Sequence, residues 1–218
     1  MATSLPIPRD SQAKLVHILR LSAQIFAERG FKGASLRDIS RATGVSLSGL
    51  YYYFESKQKL LYLIQTNTFI YILDRLHAHL EGVCDPQVRL RLLVQNHLEY
   101  FLSHPHEMKV LSHEEALDEP FRKEVAAIKR RYYSLAREIY HAVATEASAP
   151  ALNPRIAVLS LFGMMNWVYK WHNPAVDPGA EVLTDSILGI FLHGVLRGPT
   201  EHTELHLVAV PAAESEES

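Results

Sequence analysis

Residues 35–60 read S-L-R-D-I-S-R-A-T-G-V-S-L-S-G-L-Y-Y-Y-F-E-S-K-Q-K-L, and no other stretch restricts the chain's fold so tightly. Ser35 can accept from an otherwise unpaired backbone N–H, which makes it an N-cap. Leu36, Ile39 and Ala42 recur at helical spacing, so one face of the helix behind that cap is apolar. Gly44 follows where a left-handed cap excludes a side chain. Val45 then fills the angle of a turn, and Ser46 can cap a second short helix. The pattern predicts two helices joined by a tight glycine turn, with a further helix starting at Lys57 behind Ser56.

On a wheel stepping about 100° per residue, Leu50 and Phe54 fall on the inward side of the second helix. Ser48, Tyr51 and Tyr52 fall opposite, with Leu47 and Gly49 flanking them in the first turn. Hydroxyls, aromatic rings and a small residue near a helix N-terminus suit base edges in a DNA major groove. The Lys57 ammonium and the free N–H groups beside it suit a phosphate. Tyr53 lies near the wheel boundary, where its ring either reaches the DNA or packs between helices.

From about Leu15 to Leu61 the chain resembles the DNA-binding domain of TetR-family transcriptional regulators. The resemblance rests on Ala23, Phe26, Ala27, Glu28, Arg29, Gly30 and Phe31, then S-L-R-D-I-S at 35–40, G-V-S at 44–46 and L-Y-Y-Y-F-x-S-K at 50–57. It implies that Ser35, Tyr53 and Lys57 hold phosphates, that Leu47, Ser48, Gly49, Tyr51 and Tyr52 face bases, and that Arg37 reaches either. Position 47 is often polar or basic in that family. Leu47 favours apolar contact with a thymine methyl instead.

Charge is divided in the same way. Residues 1–61 carry nine Lys and Arg against four Asp and Glu, whereas the rest carries thirteen against twenty. A basic head on an acidic body fits a protein that touches DNA with one end. The one cysteine, Cys84, excludes an intrachain disulfide and suits a reducing compartment. With neither a basic-then-apolar leader nor an apolar run long enough to cross a bilayer, a cytoplasmic protein without a membrane partner is expected.

Helical periodicity continues to residue 198, which predicts an all-α fold. The expected divisions are a polar arm at 1–10, a helix-turn-helix domain at 11–55, a helical effector-binding and dimerisation domain at 56–198, and an acidic tail at 199–218. Helices are expected at about 11–30, 56–81, 86–103, 118–147, 154–172 and 178–197, with 105–115 as a connector. Within 86–103, Val88, Leu92, His97 and Phe101 are the inward candidates. The last two helices are apolar all round, and such helices require a partner surface. A homodimer joined through 154–172 and 178–197 would present its recognition helices to a two-fold symmetric operator in double-stranded DNA, with heads about 34–36 Å apart.

The body offers effector candidates rather than catalytic ones. Tyr100, Phe101, Met108, Tyr133, Phe162, Met165 and Trp167 can line a pocket between helices or simply form core. Lys129, Arg130 and Arg131 form the basic cluster of the acidic half, as a phosphate site or as a solvated face pairing with Glu124 or Glu138. G-M-M-N-W-V-Y-K-W-H-N-P at 163–174, with Leu196 and Gly198, is similar to TetR-type regulators of fatty-acid, steroid or aromatic-acid catabolism. That similarity implies a small hydrophobic effector, in many such proteins an acyl-CoA thioester. Alternatives are a multidrug or aromatic-compound effector, or a metal held by His104, His106, His113 and Glu114. H-P-H-E and H-E-E lack the H-E-x-x-H spacing that puts two imidazoles on one helical face. There is no phosphate-cradling glycine loop and no G-x-S-x-G elbow, so neither a cofactor nor catalysis is expected.

Overall fold

The computed structural model describes residues 9–111, 113–148 and 152–197, and all its regular structure is helical. The arm before Arg9 and the tail after Arg197 lie outside the described residues. In chain order the helices are α1 (Arg9–Gly33), α2 (Leu36–Thr43), α3 (Leu47–Tyr53), α4 (Lys57–Leu80), α5 (Pro86–Ser103), α6 (Pro105–Val110), α7 (Glu119–Glu146), α8 (Pro154–Trp171) and α9 (Ala180–Arg197).

Local chemistry sets these boundaries. Ser35 and Asp38 form a reciprocal capping box at the start of α2: the Asp38 N–H donates to Ser35 Oγ at 3.2 Å and the Ser35 N–H to Asp38 Oδ2 at 3.0 Å. Gly44 ends α2 at φ 66°, and Ser46 caps α3 by accepting from the Gly49 N–H at 3.1 Å. Ser56 caps α4 through the Lys59 N–H at 3.0 Å, and Asp85 caps α5. α1 breaks at Gly30, whose φ of 72° only glycine adopts freely, then makes one further turn.

Two apolar cores result. The first joins Ile18, Phe26, Ile39, Leu50 and Phe54 to Leu60, Leu61 and Ile64 of α4, and draws in Val110, Leu117 and Val125 from farther along the chain. The second surrounds Ile72, Leu73 and Leu76 of the same helix with residues of α5, α7, α8 and α9. α4 therefore threads both.

The segment 105–115, expected as a connector, instead forms α6 and a short 3-10 turn at Glu114–Ala116. α6 spans 6 residues, too few for a periodicity to show, and Pro105 sits in its first turn, where the missing N–H is harmless. Val88 is exposed rather than inward, because α5 buries the stripe running from Leu90 and Leu93 through Val94, His97 and Phe101.

Phe54, 1% exposed, plugs the first core at the end of α3. Phe54→Ala should cost about 3–5 kcal/mol in urea unfolding; a loss under about 1 kcal/mol would show that Phe54 is not needed to seat α3.

Candidate DNA-binding face and interior cavity

α3 presents two different sides. Leu50 is fully buried, whereas Tyr51 is 55% and Tyr52 78% exposed, and Ser48 is exposed beside them. Tyr53 is half-buried, its ring edge-on to Tyr52 at 5.2 Å between centroids. Leu47 is half-buried at the helix start. A Cβ on Gly49 would lie 2.9 Å from Val45 Cγ1, so this glycine is required by the packing of the turn. Its missing side chain faces Val45 and Ser46 rather than solvent.

Two residues expected at phosphates have partners within the protein. The Ser35 hydroxyl donates to Asp38 Oδ2 at 2.6 Å, which commits its proton to the capping box. Lys57 Nζ donates to the carbonyls of Phe31 at 2.7 Å and Ala34 at 2.8 Å, and lies 4.5 Å above the Phe31 ring. The lysine therefore ties the end of α1 to the start of α4. Partial burial pulls its pKa below the ordinary lysine value. Arg37 is exposed and has no ion pair among the described residues. Asp38 pairs with Arg29 at 3.0 Å and Arg41 at 2.6 Å. The hydrogen bonds from Ser35, then these two guanidinium groups, hold its carboxyl below the usual range. Sequence reasoning missed Asp38, although S-x-x-D at a helix start signals such a box.

In the body, a cavity of about 430 Å³ opens between α4, α5, α7 and α8. Phe101, Met108, Tyr133, Phe162 and Trp167 line it, as expected. Tyr100 lines a different cavity, and Met165 is sealed in the body core. Arg130 and Arg131 point away, into an exposed groove with Leu73, His77 and Glu138. Successive α7 residues turn by about 100°, so Lys129 takes the inward position instead.

The Lys129 ammonium pairs with Glu114, lies 3.4 Å from the Leu111 carbonyl and sits 5.3 Å from the Phe69 ring; burial brings its pKa down to about 8. Deeper in, His97 is 3% exposed and packs against Phe101, Tyr132 and Phe162. Its Nδ1 meets the Tyr132 hydroxyl at 3.2 Å, while Nε2 makes no hydrogen bond of good geometry although the Asn166 side chain lies beside the ring. Burial depresses the His97 pKa to about 3 and raises the Tyr132 hydroxyl above the tyrosine range. Sequence reasoning placed His97 inward but missed it, Tyr132 and Asn166 as cavity residues.

The histidines weighed for a metal are not brought together. His104 stacks on Tyr100 with its Nδ1 2.9 Å from the Tyr100 carbonyl, Glu114 pairs with Lys129, and the described residues contain no group of three or more donors able to hold an ion.

A basic, capped helix-turn-helix on an all-helical body defines a class of DNA-binding regulators. Residues 18–62 match the family described as bacterial regulatory proteins, tetR family, and residues 84–195 match the tetracyclin repressor-like C-terminal domain. The chain belongs to the TetR family of transcriptional regulators. It is 25% identical over 193 residues to the HTH-type transcriptional repressor KstR2 of Mycolicibacterium smegmatis, covering 86% of this chain and 93% of that protein. A TetR-family regulator from Bordetella parapertussis superposes with TM-score 0.75 at 27% identity, covering 87% of this chain and 98% of that one. AibR, solved with isovaleryl coenzyme A and operator DNA, shares the fold at TM-score 0.73 and 22% identity, covering 84% of this chain and 98% of its own. No helix among the described residues is long and apolar enough to cross a membrane.

Lys57→Met keeps the side-chain length and removes both carbonyl contacts. It should lower stability by about 1–2 kcal/mol in urea unfolding, whereas an unchanged midpoint would show that the clamp contributes nothing. His97 gives a pH signature. It is neutral when folded but protonates below about 6.5 when unfolded, so the unfolded state takes up the extra proton and stability falls as pH drops from about 6.5 towards about 3. Unfolding of His97→Phe at several pH values should lack that part of the decline; parallel curves would contradict the assignment.

Proposed function

We propose that the protein is a homodimeric repressor that acts in the cytoplasm, binds a roughly palindromic operator and is released by a small hydrophobic effector. The observation that carries this reading is the exposure of Ser48, Tyr51 and Tyr52 on a helix whose opposite side is sealed into a core. These three would read base edges, with Leu47 against a thymine methyl. Arg37, Tyr53 and the open N–H groups at the start of α4 would hold phosphates. Lys57 and Ser35 then act chiefly by fixing the α1–α2 and α1–α4 junctions from which those groups project.

Pairing of α8 and α9 with a second copy is supported by their outer face. Ile156, Trp167 at 62% and Trp171 lie exposed on α8, and Val182 and Ile190 at 69% on α9. Gly163, Gly189 and Gly194 leave open space where a Cβ would stand, so another helix can approach closely. Two-fold pairing through this face is the isologous arrangement that a palindrome requires.

The effector would enter the cavity of about 430 Å³, an acyl group against Phe101, Met108, Phe162 and Trp167 and a polar atom within reach of His97 Nε2. Isovaleryl coenzyme A in AibR supports an acyl-CoA thioester. The CoA phosphates would need cations other than Arg130 and Arg131, which face elsewhere; Lys129 lines the cavity but is paired with Glu114.

On a duplex selected from random sequence, Tyr52→Ala should relax preference at particular base pairs and weaken specific binding by about 1–3 kcal/mol, with non-specific affinity unchanged. Arg37→Ala should weaken all duplexes and reduce the salt slope by about 1. Equal losses on every sequence for Tyr52→Ala would remove it from base reading. Titration with CoA thioesters of graded acyl size should show binding and release from the duplex; silence across the series would end the effector assignment.

A further inference from the structure

Three polar side chains from three helices meet on the wall of the cavity of about 430 Å³: His97 of α5, Tyr132 of α7 and Asn166 of α8. Most of the remaining wall is apolar or aromatic. His97 and Tyr132 are each 3% exposed, with their rings parallel. Asn166 is exposed, lines the same cavity and lies beside the His97 ring. A ligand therefore reaches the asparagine amide without opening the core.

The buried end of this row sets the polarity of the exposed end. The Tyr132 hydroxyl meets His97 Nδ1 at 3.2 Å, and it has no other hydrogen-bond partner among the described residues. Burial keeps His97 neutral, so its ring carries a single N–H. Were that proton on Nδ1, the tyrosine O–H would be a buried donor without an acceptor, which is costly. With the hydroxyl donating to Nδ1, the proton sits on Nε2. That nitrogen is buried without a well-formed partner, and the Asn166 carboxamide beside it offers the acceptor oxygen. A carboxamide that turns its oxygen to Nε2 directs its NH2 away from the histidine. Lys129, also on the wall, is already paired with Glu114.

Resting on the reading of this cavity as the effector's acyl site, we infer that Asn166 reads the acyl group, its NH2 donating to an oxygen carried on the chain, so that an oxo-substituted acyl group is preferred to the plain hydrocarbon. His97 and Tyr132 are positioning residues, which hold the carboxamide one way round. A ketone oxygen completes the row of hydrogen bonds. A methylene in its place strips water from the amide and returns nothing. A hydroxyl accepts from the NH2 as well, but its own proton then faces an apolar wall.

The test is calorimetry on the full-length protein with hexanoyl-CoA, its 4-oxo and 5-oxo derivatives and 5-hydroxyhexanoyl-CoA. At least one oxo form should bind about five- to tenfold tighter than hexanoyl-CoA, with the hydroxy form between them. Asn166→Ala should erase this ratio while retaining hexanoyl-CoA. Asn166→Asp, an acceptor only when ionised, should disfavour the oxo forms. Tyr132→Phe frees the His97 tautomer and should lower the ratio more than the affinity for hexanoyl-CoA, whereas a merely structural role lowers all affinities alike. Equal binding of every thioester by the unsubstituted protein, or a ratio unchanged in Asn166→Ala, overturns the assignment and leaves the acyl site standing. Silence from all the thioesters instead removes the acyl site and Asn166's role together.

Discussion

The structure depends on α4 being buried in two cores at once. Leu60, Leu61 and Ile64 are packed against the head, and Ile72, Leu73 and Leu76 against the body. At about 1.5 Å per residue the helix is a stiff rod, and its first residue is pinned by Lys57 to the carbonyls of Phe31 and Ala34. Lys59 adds to this anchorage, its ammonium lying 4.4 Å from the Tyr62 ring and 4.9 Å from Phe121 of α7. The Tyr62 hydroxyl donates to Glu124 at 2.5 Å. Any tilt of α4 in the body must therefore be transmitted to the junction from which α3 projects.

α6 is the second shared element. Val110 belongs to the head core and its carbonyl accepts from Gln65 at 3.0 Å, while Met108 faces the cavity in the body. A ligand that moves α6 must displace part of the head core, because close-packed interiors repack rather than compress. For a reciprocal coupling of about 1–3 kcal/mol, a small difference in fit between two positions of this one helix is sufficient.

The sequence was most legible where local chemistry decides structure. Ser35, Gly44, Ser46 and Ser56 each specify a boundary through backbone groups within a few residues, and all four occupy those positions. The two sides of α3 followed from the helical period alone. What local pattern could not show was where long side chains finish. Lys57 looks like a surface cation in sequence, but two carbonyls more than twenty residues earlier hold its ammonium. In Lys129-Arg130-Arg131, composition marks a basic cluster without revealing which member faces inward, and that phase is set by the packing of α7 on α4 and α5. α6 was too short to announce itself.

Hydrogen exchange of the full-length protein with and without a selected operator duplex tests the central claim most directly. The account predicts new protection of amides at 46–53 and at the first turn of α4, since the duplex would cover the outer side of α3 and the open N–H groups beside Lys57. Unchanged exchange across α3, with protection confined to the acidic body, would contradict it.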